Sequence, residues 1–269
     1  MIKLTKPYDV FSLFYDESYQ SLRANPLRWL APVLDEPLAN SLTICDLACG
    51  TGLLASEMAR LRKTVYAVDH HPGMLALARE RARKLTLPGR RMRIVDCDIR
   101  RFDLKKLQLP EPVDLITCFF DSMNHLQHRG DLAKVFRSAN AALRPGGWFV
   151  FDINTRKGVA HPWPDPPEIR IFNKNGKKYY LYASPIPFQQ KTGNGGVRFE
   201  WFIQLSKDRF RHAVEMYREI SWSDSEVERA LRTAKFINIE KFDGSKLERN
   251  LGPGLRNYYR ARKGDSPRS

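Results

Sequence analysis

The chain has 269 residues, 42% of them hydrophobic, a length for one domain or one and a half with a sizeable core. No run approaches the ~20 apolar residues of a membrane span, and Met1 to Asp9 lacks the apolar stretch and small-residue cleavage site of an export signal, so the expected location is the cytoplasm. Lys and Arg outnumber Asp and Glu 45 to 30, a formal charge of +15, which admits an anionic partner such as RNA. The basic residues are scattered, however, over Arg79, Arg81, Arg83 and Lys84, over Arg90, Arg91 and Arg93, and over Arg256, Arg260, Arg262 and Lys263, the distribution of a solvated surface.

Residues 8–30 are aromatic and amphipathic (Tyr8, Phe11, Phe14, Tyr15, Tyr19, Leu22). They read as one or two helices that Pro26 and Pro32 interrupt or end. Short apolar runs then alternate with helical patterns. Strands are expected over 42–47, 64–68, 93–95, 113–119 and 148–153, and helices over 53–61, 73–85 and 132–143. That alternation predicts an α/β fold with a doubly wound parallel sheet. The pattern changes after Asn154. Residues 161–167 are too rich in proline for regular structure, and four strand-like runs follow at 168–173, 178–184, 197–205 and 210–221. Asn175-Gly176 and Gly193-Asn194-Gly195-Gly196 supply turn residues between them, so the segment reads as an antiparallel insertion. Ser223 with Glu226 offers a capping box for a helix to about Ala234. Strands at 236–241 and 256–261 complete the main sheet. The expected organisation is an N-terminal helical lid (1–40), a core (41–154 and 222–263), a β insertion over the site (155–221) and a disordered tail (264–269). The four cysteines, Cys45, Cys49, Cys97 and Cys118, have no zinc spacing and read as buried thiols. No metal-ligand cluster is evident.

The strongest string is Ile44-Cys45-Asp46-Leu47-Ala48-Cys49-Gly50-Thr51-Gly52. Apolar residues lead into a turn of small residues, and a helix follows. Such a turn brings backbone close to a ligand and points the first helical N–H groups at a polar or anionic group. Gly50-Thr51-Gly52-Leu53-Leu54-Ala55 also satisfies the dinucleotide pattern, so the cofactor must be chosen by its neighbours. Asp69, 17 residues after Gly52, ends the second strand, where a carboxylate accepts both ribose hydroxyls of NAD or of S-adenosylmethionine (SAM) alike. The third strand leads into Asp96-Cys97-Asp98-Ile99-Arg100-Arg101-Phe102. There an acidic side chain can receive an adenine amino group and Ile99 can cover the ring.

In combination these residues resemble the class I SAM-dependent methyltransferases. Asp-x-Ala-Cys-Gly-Thr-Gly looks like their first motif, Asp69 like their ribose carboxylate, and Cys97-Asp98-Ile99-Arg100 like their adenine motif. Leu143-Arg144-Pro145-Gly146-Gly147 is similar to the turn before their fifth strand. Two departures stand out: His70 follows Asp69 where a small hydroxyl residue is frequent, and Lys235 stands where many members have glycine before the sixth strand. Phe119-Phe120-Asp121-Ser122-Met123-Asn124-His125 resembles the fourth-motif region of small-molecule N-methyltransferases, including sugar-amine enzymes. The resemblance implies a Rossmann-like, seven-stranded, mostly parallel sheet and SAM as cofactor. It implies cofactor contacts from Asp46, Ala48, Gly50, Gly52, Asp69, His70, Met74, Asp98, Ile99 and Phe119. It places His125 beside a reacting amine and Tyr15, or Tyr8, near a tyrosine of the N-terminal helix. The expected function is methyl transfer to a small molecule, at nitrogen. The alternatives are an RNA methyltransferase, a SAM-binding protein without catalysis, and an NAD-dependent oxidoreductase.

Overall fold

The computed structural model describes residues 3–19, 25–85, 92–107, 109, 112–161, 163–248 and 251–265. Leu22, Arg90, Arg91 and the tail beyond residue 265, all named above, lie outside them. The main sheet is built from β2 (Thr43–Leu47), β3 (Thr64–Asp69), β4 (Met92–Asp96), β5 (Val113–Cys118), β6 (Leu143–Asn154), β11 (Phe236–Asp243) and β12 (Arg256–Lys263), in the order β11-β12-β6-β5-β2-β3-β4. β12 is antiparallel to both neighbours, and the five strands from β6 to β4 are parallel. This is the doubly wound sheet that the alternation predicts, in the Rossmann-like, seven-stranded, mostly parallel form that the resemblance implies.

The parallel strands read as continuous apolar runs because both faces are covered. Successive residues go to opposite cores: Cys45, Leu47, Ile116 and Cys118 pack with Phe136, Phe149 and Phe151 on one side. Ile44 and Leu115 pack with Leu34, Leu54 and Met58 on the other. The chain runs outward from β2 through β3 to β4, then returns to place β5 on the other side of β2. A crevice therefore opens at the carboxyl ends of β2 and β5. Inside the sheet, Asp46 of β2 and Thr117 of β5 are register partners, and the Thr117 hydroxyl donates to Asp46 Oδ1 at 2.7 Å. Burial pushes the Asp46 carboxyl up to about 7 against this hydrogen bond.

The N-terminal region differs from the expectation. One 3-10 turn (Phe11–Phe14) and one helical turn, α1 (Tyr15–Ser18), are followed by α2 (Pro26–Ala39), which starts at Pro26 and carries Pro32 and Pro37 within it. Pro26 fits the first helical position, where its missing N–H costs nothing. Each interior proline removes a helical hydrogen bond, but Leu30, Val33 and Leu34 are fully enclosed, and that packing outweighs the loss. The next helices, α3 (Leu53–Arg60), α4 (Pro72–Lys84) and α5 (Arg129–Ala142), lie where the apolar periodicity puts them. After the short α6 (Arg156–Ala160), the later α7 (Asp224–Thr233) begins with the Ser223–Glu226 capping box. Lys235 takes a left-handed φ of 67° after α7, the glycine-favoured conformation.

The second sheet has the order β1-β10-β9-β8-β7, with β7 (Glu168–Lys174), β8 (Lys177–Gln189), β9 (Asn194–Ser206) and β10 (Arg209–Ile220) antiparallel. The N-terminal pair β1 (Lys3–Leu4), which the sequence does not announce, adds in parallel to β10. Asn194, Gly195 and Gly196 belong to β9 and not to a turn, with Gly196 at φ 139° and its α-carbon face close against the Tyr217 carbonyl. The inner face packs Phe172, Leu181, Phe199, Trp201 and Tyr217 against Val10, Phe11 and Phe14. Within that apolar layer lies a fully buried carboxylate, Glu215. It accepts from the Val10 N–H at 2.7 Å, from the Phe11 N–H, from Trp201 Nε1 at 2.8 Å and from the Tyr217 hydroxyl at 3.1 Å. Glu215 thereby fastens the N-terminal segment to the second sheet.

Two stability effects follow. Glu215→Gln replaces one acceptor oxygen by a donor facing other donors, and is expected to cost about 2–3 kcal/mol, read as a lower urea midpoint at unchanged slope. The Asp46 pKa is raised in the folded state, so its neutral form is favoured there and stability falls as pH rises from about 4 to about 7. Asp46→Asn is expected to remove that part of the fall, of order 3 kcal/mol at most, in urea titrations at pH 5 and pH 7.5.

Candidate active site at the ends of β2 and β5

The turn after β2 is made possible by three left-handed residues, Ala48 (φ 52°), Gly50 (φ 56°) and Gly52 (φ 74°). A side chain on Gly52 would meet the Met92 methyl at 2.6 Å and Ala78 Cβ at 3.2 Å, so this glycine lets the turn close against β4 and α4. Gly50 faces the other way, towards the Tyr15 ring, which is 3.7 Å from where its Cβ would be. The turn is tied to β3 by Asp69. Its Oδ2 accepts from the Gly50 N–H at 2.9 Å, and its Oδ1 from the His70 and His71 N–H groups at 2.8 and 2.9 Å.

The crevice is lined by Asp46, Ala48, Gly50, Phe119, Ser122 and Tyr15, with Cys49, Leu53, Leu54 and Phe120 completing it. Five of the residues singled out in the sequence as cofactor or acceptor contacts therefore meet in one place: Asp46, Ala48, Gly50, Phe119 and Tyr15. Asp69 joins them through Gly50. Gly52, His70, Met74, Asp98 and Ile99 are not on its wall. Met74 is buried, its N–H donating to His71 Nδ1. Cys49 and Cys97 are only half-buried, whereas Cys45 and Cys118 are buried as expected. Asp98 is not a free acceptor: the Arg100 guanidinium and its backbone N–H both bind it, and the Arg100 pairing holds its carboxyl below the usual range.

The N-terminal segment closes over the turn. The Thr51 hydroxyl donates to Asp16 Oδ1 at 2.6 Å. Arg81 pairs with Asp16 Oδ2 and donates Nε to the Thr51 carbonyl at 3.0 Å. Tyr8, itself at φ 71°, donates its N–H to the Tyr217 hydroxyl at 2.9 Å. Its own hydroxyl is held neutral, first by burial, then by the charges of Tyr15, Asp121, Tyr19 and Asp69. Tyr8 thus stands between the cofactor side and the loop after β5.

That loop carries groups with no local sequence signal. Asn124 is fully buried; its amide donates to the Asn154 and Ile220 carbonyls and accepts the Asn154 N–H. It joins the ends of β5, β6 and β10. The adjacent His125 has Nδ1 3.2 Å from the Arg218 carbonyl and Nε2 3.6 Å from Asp121 Oδ2. Burial disfavours its imidazolium, but Asp121, Glu219 and the Arg218 carbonyl outweigh it and hold the pKa at about 8. One ligand atom each of Asp121, His125 and Glu219 lie within 4.8 Å of one another, a trio able to hold a metal ion that the spacing 121, 125, 219 does not suggest. Arg256 donates to Asp121 Oδ1 at 2.8 Å and to Asn154 Oδ1 at 2.9 Å, and lies 3.3 Å from Asp152 Oδ2 and 3.6 Å from Glu248 Oε1.

Comparison with known proteins agrees with this geometry. Residues 44–147, from the middle of β2 into β6, match the family model for a methyltransferase domain. A putative methyltransferase of Geobacillus sp. is 23% identical over 199 residues, covering 73% of this chain and 74% of that protein. A ubiquinone biosynthesis O-methyltransferase of Methylobacterium sp. is 33% identical over 119 residues, 44% of this chain and 43% of that protein. Among solved structures, a SAM-dependent methyltransferase from Clostridium acetobutylicum superposes with TM-score 0.70 at 24% identity, covering 96% of this chain and 99% of that one. The sugar N-methyltransferase of Streptoalloteichus sp. gives 0.72 at 18%, covering 96% and 94%. No helix among the described residues is long and apolar enough to cross a membrane. The domain match over the glycine turn gives residues 44–147 as a methyltransferase domain, and with the shared fold it supports a class I enzyme that uses S-adenosylmethionine.

Proposed function

We propose that the chain methylates a small molecule at nitrogen, and that the crevice between the β2 turn and the β5 loop holds both the cofactor and the acceptor. The observation that carries this reading is His125, set with Asp121 and Glu219 just beyond the Phe119–Ser122 wall. In this reading the turn Asp46, Ala48 and Gly50 takes the methionine part. Asp69 takes the ribose through Oδ2, which accepts only the Gly50 N–H and keeps a lone pair, whereas Oδ1 already accepts two N–H groups. Asp98 and Ile99, with His70 and Met74 nearby in sequence, form the adenine end, where Arg100 keeps the Asp98 carboxylate ionised. Gly52 contributes by packing, and Phe119 and Tyr15 wall the reacting centre.

SAM supplies an electrophilic methyl: the acceptor lone pair forms the new bond to carbon while the carbon–sulfur pair stays on sulfur. The protein's part is orientation and proton handling. His125 Nε2, steadied by the Arg218 carbonyl at Nδ1, takes the proton that an ammonium must lose before nitrogen can attack. The carboxyl groups gathered around His125, Asp121 and Glu219, suit the phosphate backbone of RNA poorly. A second reading has one observation in its favour. The Asp121, His125 and Glu219 trio can hold a divalent ion, and several relatives are named as O-methyltransferases, so a metal-assisted transfer to oxygen is its competitor.

Screening with labelled SAM against amine, hydroxyl and RNA pools, with and without a chelator, separates these readings. Label on amines, insensitive to chelator, is expected; label on oxygen that needs added metal favours the competitor. Calorimetric titration with S-adenosylhomocysteine should show binding, weakened about tenfold or more by Asp69→Ala. Binding of NAD in its place would overturn the cofactor site. With the found acceptor, kcat/KM should rise as pH passes through about 8. His125→Gln should abolish that limb and lower kcat on the order of 100-fold; an unchanged profile would remove His125 from the chemistry.

A further inference from the structure

Next to the loop after β5 lies a cluster of carboxyl groups in a strongly basic protein. Asp121, Asp152, Glu219 and Glu248 surround a single guanidinium, Arg256, among the described residues. Asp152 is fully enclosed and its Oδ1 has no hydrogen-bond partner among those residues. Its Oδ2 accepts the Asp121 N–H at 3.0 Å. Glu219, at the end of β10, accepts from Asn154 Nδ2 with Oε2 at 2.9 Å, while its Oε1 carries no hydrogen bond among the described residues. Leaving carboxylates in excess of cations in a desolvated site is costly, and burial accordingly pushes Asp152 up to about 7 and raises Glu219; a ligand that brings positive charge relieves the same cost with the carboxylates ionised.

From this geometry we infer that Glu219, with Asp121, is the counter-ion that binds the acceptor as an ammonium ion and selects a cationic nitrogen over a neutral hydroxyl. The inference rests on the nitrogen reading above and adds to it the charge state of the acceptor and the residue that recognises it. Proton bookkeeping supports it. The pair Asp121 and Glu219 stabilises one positive charge, carried either by the acceptor ammonium with His125 neutral, or by the imidazolium of His125 with the acceptor amine neutral. Moving the proton from nitrogen to Nε2 keeps the charge of the enclosure constant, so the amine lone pair is freed without separating charge in a low-dielectric site. After transfer the methylated nitrogen is again a cation, sulfur is neutral, and His125 returns its proton to solvent.

The test compares the wild type with Glu219→Gln and the rescue variant Glu219→Asp. The readout is KM against kcat for methyl transfer from labelled SAM to matched probes, amino sugars and amino acids against their hydroxyl counterparts, such as glucosamine against glucose, with S-adenosylhomocysteine affinity as the control for an intact cofactor site. Amine acceptors should be labelled. Glu219→Gln should raise their KM about tenfold or more, the size of a lost charge-assisted hydrogen bond, with cofactor affinity within about twofold and partial recovery in Glu219→Asp. Amine labelling with an unchanged KM in Glu219→Gln overturns the inference and leaves the nitrogen reading standing. Labelling of hydroxyl probes alone, or labelling that requires added magnesium, overturns both.

Discussion

Buried backbone N–H groups at the ends of parallel strands need acceptors, and in this protein side-chain carboxylates supply them. Asp69 takes three, from the β2 turn and from its own strand end. Asp114 takes the Leu42 and Thr43 N–H groups at the entry to β2. Asp152 takes the Asp121 N–H after β5, and Glu215 takes two from the N-terminal segment. An unmet buried N–H costs about 1–3 kcal/mol, so these carboxylates decide where each loop lies. The same desolvation raises several of them. Asp46 and Asp152 both reach about 7, burial being the largest cause in each. The structure thus holds carboxyl groups close to their proton-exchange range around the place where chemistry is proposed.

The fold was largely legible because parallel strands buried on two faces have no polar alternation to confuse with a helix. The β2 turn was legible because small residues cluster at one place in the chain. The capping box of Ser223 and Glu226 was legible because its two members are three residues apart. Failures have a common cause in distance. Pro32 looked like a helix end, and only the enclosure of Leu30, Val33 and Leu34 shows why the helix persists. The cluster beside His125 is assembled from Asp121, Asn154, Glu219 and Arg256, which belong to four separate stretches of sequence and carry no spacing. The pairing of Asp98 with Arg100 after β4 is local, yet the sequence does not announce it.

Overall charge and local charge point in opposite directions. The net excess of 15 positive charges is untouched by ion pairs, but pairs such as Arg129–Glu226, Arg144–Asp114 and Arg260–Glu240 neutralise individual basic side chains. Such surface pairs contribute little to stability, but they reduce the cationic surface left for a polyanion. The carboxylate-rich enclosure behind the crevice is sheltered from salt and acts at short range. Net charge is therefore a poor guide to what this active site prefers, and the local count of groups around His125 is the better one.

The Asp16 side chain grips the hydroxyl of Thr51, and Arg81 bridges Asp16 to the Thr51 carbonyl. The clasp is made to the glycine turn itself and not to a neighbouring surface. Occupancy of the turn and docking of residues 3–18 are consequently two faces of one equilibrium. Whatever a bound nucleoside does to Thr51 is felt at Asp16, and by thermodynamic reciprocity a loosened clasp changes how firmly the nucleoside is retained.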